Sequence, residues 1–108
     1  MTTKLKFTYE GKDYCLEYTR ETVVKMEERG FDPTTIISSP NKSLPEFFYG
    51  AFLANHRFVD RKVTDAIFDK MADKKALVEI LSEMYNEPLK ALMSDPEDEG
   101  NAIQWEKA

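Results

Sequence analysis

Residues 4–9, Lys-Leu-Lys-Phe-Thr-Tyr, alternate polar and apolar side chains, with Leu5, Phe7 and Tyr9 on one face. Residues 14–18 alternate again and bring Tyr14, Leu16 and Tyr18 together. Between them lies the polar connection Glu10-Gly11-Lys12-Asp13. Period-two alternation on both sides of a glycine-bearing turn predicts an antiparallel β-hairpin. A hairpin is marginal alone, so its aromatic face calls for helices to cover it.

The rest of the chain changes to helical spacing. Thr19 is placed to cap a helix over 20–29, with Val23, Val24 and Met26 directed inward and Gly30 as its stop. Phe31-Asp32-Pro33 reads as a second start, with Asp32 as cap, Pro33 at the first helical position and Phe31 and Ile36 at the spacing of a hydrophobic staple. Ser38-Ser39-Pro40 should end that short helix. Ser43-Leu44-Pro45-Glu46 has the form of a capping box before a helix over about 44–56. There Leu44, Phe47, Phe48, Ala51 and Phe52 recur at core spacing, and Tyr49, Leu53 and His56 form a second flank. Asp60 is placed to cap a helix over 61–72 carrying Val63, Ile67, Phe68 and Met71. Asp73 precedes a last helix with Leu77, Ile80, Leu81, Met84 and Tyr85 as its stripe. Pro88 should interrupt it, with Asn86 capping a further turn or two that carries Leu89, Leu92 and Met93. The expected architecture is α+β and mostly helical, an N-terminal β-hairpin packed on four or five helices.

Length and composition fit that picture. A chain of 108 residues that is 42% hydrophobic can bury one modest core. No apolar run approaches a membrane span, and the N-terminus lacks the apolar region of a signal peptide, so the expected compartment is the cytoplasm. The net charge of −5 is unevenly placed: Asp95, Glu97, Asp98, Glu99 and Glu106 near the C-terminus face only Lys107. Residues 1–93 are therefore read as one domain and 94–108 as an acidic, mobile tail. The nearly neutral domain has no basic stripe, which argues against binding nucleic acid through its phosphates. It offers little support for a DNA mimic. Ile103 and Trp105 are apolar within the polar tail; they either lie loosely, pack back on the domain or form a docking segment.

Candidate catalytic chemistry is thin. One cysteine, Cys15, and one histidine, His56, exclude an intramolecular disulfide framework and a Cys/His zinc site. Cys15 falls on the strand face opposite Tyr14 and Leu16, with neither a glycine-rich elbow nor a helix start beside it, and reads as structural. His56, near a helix C-terminus where a protonated imidazole is mildly favoured, also reads as structural. Asp65, Asp69 and Asp73 recur at i, i+4 and i+8, a spacing open to a cation site, but nearby lysines favour a solvated face. Phosphate-binding, dinucleotide and zincin motifs are absent. The expectation is a protein that is not an enzyme and needs no cofactor and no metal.

Several stretches together have a familiar order. They are Phe7-Thr8-Tyr9-Glu10-Gly11-Lys12-Asp13-Tyr14, Thr19-Arg20-Glu21-Thr22-Val23, Gly30-Phe31-Asp32, Leu44-Pro45-Glu46-Phe47-Phe48-Tyr49-Gly50-Ala51-Phe52 and Leu81-Ser82-Glu83-Met84-Tyr85. The series, over residues 5–93, resembles the tail assembly chaperones of flexible-tailed phages. That resemblance implies a phage- or prophage-encoded protein in the bacterial host cytoplasm. Its partner would be the tape-measure protein, which it would bind and keep soluble during tail assembly, with homo-oligomerisation along the client. Tyr49, Leu53 and Phe58 are the residues proposed to line a client groove. The resemblance also implies a programmed frameshift, for which a GAG-GGA-AAC coding of Glu99-Gly100-Asn101 would supply a slippery heptamer. The competing functions are a structural head–tail or tail component and a small inhibitor of a host protein.

Overall fold

The computed structural model describes residues 3–94 and 102–107. Strands β1 (Leu5–Tyr9) and β2 (Lys12–Leu16) are followed by helices α1 (Arg20–Glu28), α2 (Thr35–Ser38), α3 (Pro40–Phe52), α4 (Arg61–Lys70) and α5 (Lys74–Met93). The fold is α+β and mostly helical. The strands pair antiparallel, with Phe7 opposite Tyr14 and Leu5 opposite Leu16, so the anticipated aromatic face exists. The turn is tighter than the sequence suggested. Tyr9 pairs with Lys12, leaving Glu10 (φ 50°) and Gly11 (φ 78°) as a two-residue loop of the kind that matches strand twist.

Helix α1 begins at a reciprocal capping box: Thr22 N–H donates to Thr19 Oγ1 and Thr19 N–H donates to Thr22 Oγ1. It ends in a Schellman motif, with Gly30 at φ 90° and its N–H on the Glu27 carbonyl, while Phe31 N–H reaches the Met26 carbonyl. Met26 and Phe31, which accompany that motif, are both buried. Because Thr22 and Met26 set the inward face, Val24, about 200° around the helix from Thr22, points outward rather than into the core. Asp32 is not the cap of α2, which starts at Thr35 with Thr34 at its N-cap position, so Pro33 also falls before the helix. The Asp32 carboxylate accepts from both the N–H and the hydroxyl of Thr34, in a turn that leads into α2.

The start of α3 differs from the sequence reading. The helix opens at Pro40, with the Ser39 carbonyl accepting from Lys42 and Ser43 N–H groups. A proline at the first helical position has no N–H to leave unpaired, and this start prevails over the apparent capping box at Ser43. Ser43 is instead buried inside the helix, with its hydroxyl 2.6 Å from Thr35 Oγ1. The helix also stops at Phe52, four residues short of the expected end, and His56 N–H closes a turn on the Phe52 carbonyl.

Two other helix starts agree with the sequence: Asp60 accepts from Lys62 N–H, and Asp73 accepts from Ala76 N–H. Helix α5 then runs 20 residues through Pro88 without a break. The proline removes one hydrogen bond to the preceding turn, yet Asn86 starts no new helix. Ile80 is partly exposed because Leu77, Leu81 and Met84 form the buried face.

Helix α3 joins the two halves of the core. Phe47 stacks on Phe31 and on Tyr18, with ring centroids 5.7 and 5.3 Å apart, and Tyr85 meets all three edge-on. One turn on, Phe52 packs edge-on against Phe7, Tyr14 and Phe48, while Phe48 also meets Phe68 of α4. Such pairs add to the burial of the rings themselves. Gly50 lets α1 approach α3: a Cβ there would lie 2.5 Å from Met26 Sδ. Gly50→Ala should therefore lower stability. Overpacking costs about 1–3 kcal/mol, against a gain of about 1 kcal/mol from helix propensity. Denaturant unfolding checks the sign; a net gain would mean that the Met26 side chain moves aside at little cost.

Candidate interaction surfaces

The candidates Tyr49, Leu53 and Phe58 occupy different surroundings. Tyr49 is half-buried, with the Arg61 guanidinium 5.5 Å from its ring centroid. Leu53, also half-buried, is the residue that follows α3. Phe58 is 92% exposed, next to Arg57. It borders a shallow depression formed by Lys12 and residues 54–59, which neither Tyr49 nor Leu53 lines.

The larger concavity is elsewhere. A groove of about 750 Å³ lies between α1 and the C-terminal half of α5. Arg20, Val23, Val24 and Glu27 form one wall, Tyr85, Pro88, Leu89 and Leu92 the other, and Phe31 and Asp32 lie at one end. A smaller depression shares Arg20, Pro88 and Leu92 with it and carries the groove toward Thr19 and Ala91. Val24, Leu89, Leu92 and Met93 are exposed. They form the kind of apolar surface that marks an interaction site when it is contiguous. Pattern reading missed this groove because it assigned Val24 to the core and broke α5 at Pro88. The available signal was the position of Leu89 and Leu92, one to two turns beyond Met84 on an otherwise buried stripe. Further along, Ile103 and Trp105 are 89% and 86% exposed.

The acidic trio separates. Asp65 is 3.0 Å from Arg61, Asp73 caps α5, and the Asp69 carbonyl accepts from Lys74 Nζ. Helix α4 ends at Lys70, so Asp73 does not share a helix face with the other two. Among the described residues no group of His, Cys, Asp or Glu is arranged to hold a metal ion. No described helix is long and apolar enough to cross a membrane. Residues 95–101, which contain the acidic cluster and the Glu99-Gly100-Asn101 peptide, lie outside the described residues.

The full length of the chain, residues 1–108, matches one family. The chain belongs to DUF5055. The description of that family, a domain of unknown function, assigns no activity to its members. No curated protein and no solved structure matches the chain. A functional reading for this DUF5055 member therefore starts from its surfaces.

His56 and Cys15 are joined, although not through their reactive atoms. Cys15 N–H, on the open edge of β2, donates to His56 Nε2 at 3.1 Å. Asn55 Nδ2 donates to the Cys15 carbonyl and to Glu17 Oε2, and Glu17 N–H donates to the Ala51 carbonyl. These bonds cover an edge that would otherwise be free to pair with another strand. His56 must be unprotonated at Nε2 to accept, and desolvation followed by the nearby Lys12 charge holds its pKa below the ordinary value. The imidazole is thus a neutral acceptor, which replaces the expected protonated cap of a helix end.

The sign of the pH effect follows from that lowered pKa. The unfolded chain takes up the proton first, so this stabilisation is complete above the ordinary histidine pKa of 6.5 and is lost as pH falls through the lower folded-state value. Urea midpoints at pH 7.5 and 5.5 should differ for the wild type and converge for His56→Ala. Equal pH sensitivity in the two proteins would remove His56 as the cause.

Proposed function

We propose that this chain is a binding protein that acts as a tail assembly chaperone in a flexible-tailed phage, keeping an apolar helical stretch of the tape-measure protein soluble. The observation that carries the reading is the groove between α1 and α5, with Val24, Leu89 and Leu92 exposed along it. An amphipathic client helix seats its i, i+3, i+4 and i+7 side chains in a groove of this kind. Arg20, Glu27 and Asp32 give the groove lining charges of both signs. These fix orientation and register more than they add affinity. The resemblance of residues 5–93 to that chaperone group supplies the identity of the client.

Within this reading the α1/α5 groove, rather than the separated Tyr49, Leu53 and Phe58, is the client surface. Co-expression with the neighbouring tape-measure protein should give a soluble complex that is absent without this chain. Leu92→Asp or Val24→Asp should weaken its recovery about tenfold or more, while Tyr49→Ala/Leu53→Ala leaves it intact. A client recovered equally with all variants would move the surface elsewhere. A client that stays insoluble with the wild type would contradict the chaperone reading.

A further inference from the structure

Among the uncovered apolar features of the described residues, two suit each other. One is the groove with its exposed Val24, Leu89 and Leu92, and the other is the pair Ile103 and Trp105 near the C-terminus. We propose that the groove of one copy receives the Ile103–Trp105 segment of a second copy, and that the exchange is reciprocal, giving a twofold dimer.

The length of chain allows it. Ile103 lies nine positions beyond Ser94, which follows α5, a contour of up to about 30 Å. From Tyr85 to Leu92 the groove extends only about 10 Å along α5. Leu92 also lies two residues before Ser94. Two α5 ends placed side by side therefore start each C-terminal segment next to the partner's groove. A twofold arrangement makes the two contacts identical and closes the assembly at two copies.

The chemistry matches as well. In an extended segment Ile103, Trp105 and Lys107 alternate to one side and Gln104 and Glu106 to the other. Ile103 and Trp105 supply the apolar occupants. The Trp105 indole N–H and the Lys107 ammonium suit the Glu27 and Asp32 carboxylates on the groove rim, and Glu106 suits Arg20. Met93, exposed at the end of α5, lies where the two helices would meet. Burying these residues from both copies reaches the order of 1,000 Å² expected of a specific interface.

Trp105 is the only tryptophan, so its emission reports this contact directly. The pairing goes beyond the client-binding reading and is measured with no client present, so each stands or fails separately. Sedimentation of the full chain across a concentration series should show a monomer–dimer equilibrium, with Trp105 emission moving to the blue as dimer forms. Leu92→Asp, Val24→Asp and Trp105→Ala should each weaken association about tenfold or more. All three positions are substantially exposed, so the variants should keep the wild-type circular dichroism. The deciding arm mixes Leu92→Asp with Trp105→Ala: one intact segment and one intact groove remain, and a heterodimer should form with blue-shifted Trp105 emission. Three results would overturn the proposal. They are a monomer with exposed Trp105 at every concentration, a dimer indifferent to Trp105→Ala, and a shielded Trp105 in the monomer, which would make the segment's own groove its site.

Discussion

The ring of Phe47 is the point on which the rest of the structure depends. It is held between Phe31 and Tyr18 and closed by the edge of Tyr85. Four parts of the chain meet there: the segment after β2, the connection between α1 and α2, helix α3 and helix α5. Tyr18 is fully buried and donates its hydroxyl to the Phe47 carbonyl, which satisfies a polar group that would otherwise be costly in this setting. Burial, followed by the proximity of Tyr85, raises the Tyr18 pKa well above the ordinary tyrosine value, so the phenol keeps its proton and remains a donor. The hairpin needs the helices for its aromatic face, and the helices need Tyr18 and Phe31 to stay in register.

This arrangement also determines what remains uncovered. Helix α5 has 20 residues, whereas α1 has nine and α3 thirteen. Its first half is anchored by Leu77, Leu81 and Met84, and Tyr85 is its last contact with the aromatic cluster. Beyond Tyr85 the apolar stripe continues as Leu89 and Leu92, beside the outward-facing Val24, and the core of the molecule does not reach them. The groove is thus a consequence of unequal helix lengths around a compact aromatic core. The second half of α5 is an uncovered apolar surface that the fold itself does not need.

The hairpin, α1, α4 and most of α5 were legible because their signals are local: alternation in β1 and β2, caps at Thr19, Asp60 and Asp73, and a glycine stop at Gly30. Errors arose where one short string supports two geometries. Ser43-Leu44-Pro45-Glu46 satisfies a capping box, yet Pro40 makes a better start and Ser43 turns inward to Thr35. Pro88 carries a strong local signal to stop, but it removes only one hydrogen bond and α5 runs through it to Met93. The flank Tyr49, Leu53 and His56 required α3 to extend to His56; it stops at Phe52, so Leu53 and His56 fall after the helix. The α1/α5 groove depends on how two helices distant in sequence lie side by side, which no single stretch encodes. His56 was read as a residue at a helix end; its partner, the Cys15 N–H on the strand edge, is visible only in three dimensions.

Amide chemical-shift mapping of the labelled full chain with a soluble apolar segment of the tape-measure protein tests the account most directly. The perturbed amides should cluster on α1 around Val24 and on α5 from Tyr85 to Met93, with the region of Tyr49, Leu53 and Phe58 unchanged. Perturbations centred on that second region, or none at saturating client, would contradict it.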